Sequence, residues 1–243
     1  MSQYSQLDSV RLLATLPHPC GYLDGREATT VFVDPQTAVD QRLYSRLSEL
    51  GFRRSGNYLY RPQCTHCQAC IPARVPVELF APNRNQRRCW RRNRDLDVFH
   101  RYDIDTDEHY DLYARYIEGR HADGEMYPPS RDQFRSFLNN AWGTTRYLEF
   151  RARGKLLATA VTDVLSGGVS AIYTFYDPDE IKRGLGSYSI LYQIEWARRL
   201  GLPSLYLGYW ISECHKMAYK SQFQPLEILQ GGRWTLKSGN PDS

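Results

Sequence analysis

Several things are missing from this sequence, and each absence narrows what the chain can be. No apolar run approaches the roughly 20 residues needed to span a bilayer. Residues 1–10 are polar and lack the charged-then-apolar layout of a secretory leader, so a cytoplasmic setting is expected. There is no repeat of short fixed period and no low-complexity linker, which excludes a stacked-repeat architecture. Excess charge is also small: a formal +4 over 243 residues does not by itself identify a nucleic-acid partner, so the distribution of charge has to decide. In a reducing compartment the six cysteines are expected as thiols or metal ligands rather than disulfides.

The composition that remains, 42% hydrophobic and 24% charged, is that of a soluble globular protein. The chain is long enough for one large domain or two modest ones. Aromatic content is raised by 18 tyrosines, which offer flat contact area with a polar tip, suited to cores and to base stacking alike.

Organisation changes near residue 95. Before it, Pro17, Pro19, Pro62, Pro72, Pro76 and Pro82 punctuate short elements. A helix is predicted over 37–50 from the spacing of Leu43, Leu47 and Leu50, with Gly51 ending it, and two short strands flank a Ser55-Gly56-Asn57 turn. After it the pattern is orderly: a strand over 95–103, helices over 107–119 and 130–142 with Ser130 as N-cap, and strands over 146–153, 156–164 and 169–176. A Gly-containing loop over 177–186 then opens a helix over 187–200. A strand over 205–208, a helix over 213–221 and a hairpin over 226–236 complete the chain. The order β-α-α-β-β-β-α-β-α-β-β resembles that of the GNAT acyltransferases. The expected class is therefore α/β (α+β): a GNAT-like acyl-transfer domain over 95–243, preceded by a smaller, irregular, Cys-containing and Arg-rich domain over 1–94.

Four features can carry chemistry. GNAT proteins present backbone N–H groups at a helix N-terminus to the pyrophosphate of acyl-CoA. The corresponding stretch here, Ile181 to Ser187, has Gly184 and Gly186 in place but Ile181 where Gln or Arg would stand, which weakens the expectation of a CoA donor. Second, Arg84, Arg87, Arg88, Arg91, Arg92 and Arg94 fall within eleven positions around Trp90, with almost no acidic residue before Asp95. Guanidinium groups pair bidentately with phosphate, and an interleaved aromatic adds a stacking surface. Lys182 and Arg183 in the loop, and Lys216 and Lys220 one turn apart further on, extend the polyanion-binding set.

Third, Cys64, Cys67 and Cys70 form C-x2-C-x2-C, a spacing that can close around Zn²⁺ or an Fe–S cluster. A ferredoxin-type run would have another cysteine at the position of Arg74, so a fourth ligand must come from Cys20 or Cys89; the metal's identity stays open. Fourth, Asp163 and Asp177 end predicted strands, where either could take a proton from an attacking amine, with Tyr173 as a helper. Asp177-Pro178 also reads as a turn start, and Glu195 as an ordinary helix residue.

Taken together, several strings resemble the arginyl-tRNA–protein transferase family. Cys20-Gly21-Tyr22, Gly51 to Gly56, Tyr60-Arg61-Pro62 and Cys64 to Cys70 are similar to its N-terminal region. Ser170 to Asp179, Leu185 to Tyr188, Leu207 to Ile211 and Lys216 to Lys220 are similar to its C-terminal region. Length and the cysteine spacing look closest to the bacterial aspartate/glutamate leucyltransferase branch. That resemblance implies transfer of leucine from leucyl-tRNA to the N-terminal amine of proteins beginning with Asp or Glu, tagging them as N-degrons for degradation. Eukaryotic relatives carry an early Cys-x-x-Cys and can hold an Fe–S cluster, whereas Leu23 stands where the second early cysteine would be.

The chemistry is consistent. An aminoacyl ester is already activated, so neither ATP nor a redox cofactor is required. The attacking α-amine has a free pKa near ~7.7–8.0, and the protein has to align the two and stabilise the developing oxyanion. An acidic acceptor residue calls for a cation, Arg53 or Arg54. An acetyl-CoA-dependent N-acetyltransferase and a non-catalytic, zinc-stabilised RNA-binding module are the alternatives, and leucine against arginine as the transferred group is left open.

Overall fold

The computed structural model describes residues 10–124, 126–139 and 141–237. Strands β1 (Leu12–Ala14), β2 (His18–Pro19), β3 (Glu27–Ala28) and β4 (Thr30–Val33) precede helix α1 (Gln41–Glu49), strands β5 (Arg53–Ser55), β6 (Tyr58–Pro62) and β7 (Ile71–Pro76), and helix α2 (Arg84–Arg92). Then come β8 (Asp97–Arg101), α3 (Asp107–Arg120), α4 (Arg131–Leu138), β9 (Thr145–Ala152), β10 (Lys155–Leu165) and β11 (Gly168–Tyr176). The chain closes with α5 (Leu185–Arg199), β12 (Ser204–Trp210), α6 (His215–Ala218), β13 (Glu227–Gln230) and β14 (Arg233–Leu236). From β8 onward this is the expected order of elements, in a mixed α/β architecture.

Local chemistry sets the boundaries. Asp40 accepts a hydrogen bond from the Leu43 amide, so α1 starts there and not at residue 37. Gly56 turns β5 into β6 at φ +56°, and a Cβ there would lie 2.0 Å from the Ser136 carbonyl oxygen, so only glycine fits. The arginine-rich stretch is a helix, α2, because Asn83 and Gln86 cap each other's backbone amides reciprocally.

An eight-stranded sheet runs β14-β13-β7-β12-β11-β10-β9-β8, beside a four-stranded sheet β1-β4-β6-β5 and the ribbon β2-β3. Strand β7 lies between β12 and β13 in the large sheet, although it belongs to the first 94 residues. Pro72 and Pro76 disguise it in the sequence. Both lie outside its short ladder with β13, which joins only Arg74 and Ala73, so neither removes a hydrogen bond on that side.

Alternation along the strands divides the core. Leu148, Phe150, Ala158 and Ala160 face α5, with Trp90 of α2 packed beside them. Tyr147 and Val161 face α3 and α4. Helix α1 and the four-stranded sheet form a further cluster, closed by Leu165 of β10. Among the described residues no helix is long and apolar enough to cross a membrane.

One buried ion pair fastens the small sheet to the large one. Arg54 of β5 and Asp163 of β10 have fully buried side chains, with Nε 2.5 Å from Oδ2. The Asp163 carboxylate also accepts from the Tyr44 and Thr145 hydroxyls, each at 2.7 Å. Arg54 further donates to the Leu138 carbonyl at 3.2 Å. Burial alone opposes the Arg54 charge, but Asp163 outweighs it and holds the guanidinium protonated. Breaking one partner of such a pair strands the other's charge. Arg54→Met is expected to cost about 3–5 kcal/mol in urea unfolding, whereas Arg54→Met with Asp163→Leu recovers most of the loss; equal costs for the single and double changes would contradict this.

Candidate active site at a split between parallel strands

Strands β11 and β12 run parallel but pair only at Val169–Leu205 and Ser170–Tyr206. Beyond that point β11 continues to Tyr176 beside β10, and β12 continues to Trp210 beside β7. The facing edges diverge and leave backbone groups without a ladder partner, which cannot stay buried unpaired. Two basic side chains fill the gap. Arg53 donates from Nη2 to the Ala171 carbonyl on β11 at 2.6 Å and from Nη1 to Ser170 Oγ at 2.8 Å. Lys220 donates from Nζ to the Tyr209 carbonyl on β12.

Gly208 makes the arrangement feasible. It sits at φ +79°, and a Cβ would stand 2.9 Å from Arg53 Nε, so the guanidinium rests on bare backbone. Tyr209 points back to the small sheet, its hydroxyl donating to the Gly51 and Tyr60 carbonyls at 2.9 and 3.2 Å. Tyr22 and Tyr60 face the same guanidinium, and burial raises both phenol pKa values against its influence; Tyr219, raised by burial, is opposed in the same way. Lys220 is only 5% exposed; burial first, and Arg53 second, lower its pKa to about 7. Among the described residues, no carboxylate forms an ion pair with either cation. The split thus holds the uncompensated Arg53 charge beside phenol donors, an arrangement that favours an anionic group or a developing oxyanion.

Tyr22 and Tyr60 also line an adjoining cavity of about 590 Å³, bounded by the β2–β3 ribbon, the cysteine loop and the β13–β14 turn. Cys20, Cys64, Cys67 and Cys70 all line it. Burial, with the neighbouring thiols, pushes the Cys70 thiol up to about 12. Arg26 bridges Cys67 Sγ at 3.4 Å and Glu213 at 3.2 Å, closing the rim. The donor set suits zinc or an Fe–S cluster, but among the described residues no three His, Cys, Asp or Glu side chains converge on one centre. Cys89, the other option for a fourth ligand, is elsewhere: its thiol donates to the Arg183 and Gly184 carbonyls.

The carboxylates proposed as bases are placed differently from expectation. Asp163 lies inside β10 and is saturated by Arg54, Tyr44 and Thr145, which makes it an anchor rather than a proton acceptor. Asp177 is fully buried and caps the turn Pro178–Arg183 by accepting from the Asp179 amide. Burial would raise its pKa, but Lys155 at 2.8 Å, the Asp179 amide and Arg115 at 3.2 Å outweigh that and lower it, so it is a weak base. Tyr173 is packed among Tyr116, Phe137 and Met126, its hydroxyl 3.7 Å from Met126 Sδ; burial raises its pKa, so it stays a donor.

The basic set divides in two. Arg84, Arg87, Arg88, Arg91, Arg92 and Arg94 are all exposed on or just after α2. This helix is tied to the loop before α5: Arg92 donates to the Lys182 carbonyl, and Asn93 to that of Arg183 at 2.9 Å. Lys182 is exposed beside it, while Arg183 is engaged by Asp95 and Glu180. Gly184, left-handed at φ +66°, starts α5, so the positive end of that helix faces the same region. Lys216 instead pairs with Asp123 at 3.0 Å, and Lys220 is in the split. The Asn83-x-x-Gln86 cap was the available signal for α2; nothing local marks Lys220 as buried.

A sheet opened between parallel strands, with charge-stabilising donors in the opening, is a candidate site for acyl transfer. The chain belongs to the arginine-tRNA-protein transferase family: its C-terminal domain matches residues 108–230 and its N-terminal domain residues 18–88. The aspartate/glutamate leucyltransferase of Saccharophagus degradans is 58% identical over 231 residues, covering 95% of this chain and 98% of that protein. Proteins of the same name from Pseudomonas aeruginosa and Pseudomonas fluorescens are 56% and 54% identical, covering 95% and 96% of this chain and 98% and 99% of theirs. The solved structure of L-PGS from Bacillus licheniformis is similar at a TM-score of 0.45 and 12% identity, over 58% of this chain and 45% of that one.

The Lys220 shift has a consequence for stability. Its folded pKa, about 7, lies below its unfolded value, so the unfolded chain binds more protons between the two and stability rises with pH there. The wild type should gain roughly 1.4 kcal/mol per pH unit relative to Lys220→Met between about pH 7.5 and 9.5. Parallel stability curves for the two proteins would rule this out.

Proposed function

We propose that this chain transfers leucine from leucyl-tRNA to the N-terminal α-amine of proteins beginning with Asp or Glu. The observation that carries this reading is the uncompensated Arg53 at the split, joined to near-full-length similarity with leucyltransferases. The guanidinium receives the acidic side chain of the acceptor's first residue and so holds the neighbouring amine at the opening. The amine attacks the ester carbonyl, and the tetrahedral oxyanion is met by phenol donors and positive charge at the split. Collapse expels the ribose oxygen, which takes up the proton that the amine gives up, and the C–N bond formed in the attack remains as the peptide bond. No energy source beyond the ester is needed.

The donor is held at a distance from this chemistry by the exposed arginines of α2, with Lys182 and the α5 N-terminus alongside. Incubation with leucyl-tRNA and peptides starting with Asp, Glu or Ala should add one leucine mass to the first two only. Absence of product on the acidic peptides rejects the assignment. The double change Arg87→Glu, Arg88→Glu should weaken tRNA binding by at least ~10-fold at low salt and flatten its salt dependence, with folding intact. An unchanged affinity would remove α2 from the donor surface.

A further inference from the structure

The large sheet has two edges, and they differ in what a second copy of the chain would meet. Strand β8 pairs only with β9, in an unbroken register from Asp97–Arg151 to Arg101–Tyr147. It contains no proline or bulge, and its two charges, Asp97 and Arg101, are of opposite sign, so they do not repel a copy paired antiparallel. Among the described residues no backbone hydrogen bond outside its ladder involves 97–101. Phe99, at its centre, is 43% exposed, and Tyr102, just beyond its end, is 76% exposed.

The five residues Asp97-Val98-Phe99-His100-Arg101 are complementary to themselves when run antiparallel. We propose that the edge of β8 is a dimerisation site, where a second copy of this chain pairs about Phe99 and joins two eight-stranded sheets. In that register Phe99 meets its own counterpart and Asp97 lies opposite the other copy's Arg101, on the same face because positions 97, 99 and 101 alternate together. Val98 lies opposite His100 on the other face, where His100 already packs edge-on to Trp196 at 4.8 Å.

The charged groups are available. Asp97 has no ion-pair partner among the described residues. Arg101 uses Nε for Glu149 at 3.2 Å, and no hydrogen bond within the described residues uses its terminal nitrogens. A two-fold operator repeats each contact, so the charge pair occurs twice. The opposite edge behaves otherwise: in β14, Arg233–Leu236, antiparallel pairing about the strand's centre would set Arg233 opposite Leu236, with no charge pair. Charge therefore selects β8.

Sedimentation equilibrium of the full chain across micromolar concentrations tests this. The expected result is a species of twice the 28.3 kDa chain mass. Asp97→Arg should weaken association by at least ~10-fold through like charges, and adding Arg101→Asp should restore it by reversing the pair. Phe99→Lys, at an exposed position, should abolish the dimer while leaving the far-UV circular dichroism of the folded chain unchanged. A monomer at all concentrations overturns the proposal. So does a dimer indifferent to Phe99→Lys, or a double charge reversal no better than Asp97→Arg alone.

Discussion

The Arg54–Asp163 pair is the constraint on which the site depends. Asp163 is in register with Thr145 on β9 and with Ser170 on β11, and Ser170 is in turn level with Tyr206 on β12. Tyr206 is level with Arg74 on β7, and Arg74 with Glu227 on β13. One polar row thus crosses six strands. Arg54 binds the row at Asp163 while the preceding residue, Arg53, binds it one strand further on at Ser170. Arg74 closes the far side with Glu227 at 2.6 Å and stacks on Trp234. Fixing Arg54 fixes the edge of β5, and with it the place where Arg53 enters the split. The two arginines have opposite electrostatic situations: one is neutralised and structural, the other is left without a counter-charge.

That distinction explains why adjacent residues of one type could not be told apart in the sequence. Arg53 and Arg54 are equivalent as letters; only the register of β10 and β11 separates them. The same holds for Asp163, which lies at the end of a predicted strand and reads as a group at the mouth of a sheet. It becomes an anchor because Tyr44, Thr145 and Arg54 arrive from three separate elements. Lys216 and Lys220 are one helical turn apart, yet one pairs on the surface with Asp123 and the other is buried against Tyr209. Long-range packing decides each case.

What was legible follows short-range rules. The element order from β8 to β14 came from periodicity, hairpin glycines and caps such as Ser130, which act within a few residues. Strand β7 escaped because its prolines argue against a central strand, while its pairing partners come more than a hundred residues later. Helix α2 was visible as a basic segment but not as a helix, since its arginines offer no apolar stripe beyond Gln86, Cys89 and Trp90. The family strings, by contrast, span elements that meet only in the fold, which is why the resemblance identified the reaction better than it identified the residues performing it.

The opening between β11 and β12 also answers how two large substrates could reach one bond. A closed sheet separates its faces: here α5 and α2 occupy one, while β5, α1 and the cysteine loop lie toward the other. In the proposed reaction the two faces communicate where β11 and β12 stop pairing. In the proposed reaction the tRNA body is held on the α2–α5 side, where exposed arginines and a helix N-terminus favour phosphate, and only its aminoacyl end enters the split. The acceptor comes from the side of Arg53 and the cavity beyond Tyr22 and Tyr60. Gly208 is pivotal in that geometry, because any side chain there would displace the guanidinium that spans the opening. Residues that bind tRNA and residues that select the acceptor can then vary independently, with the chemistry confined to the few atoms where the faces communicate.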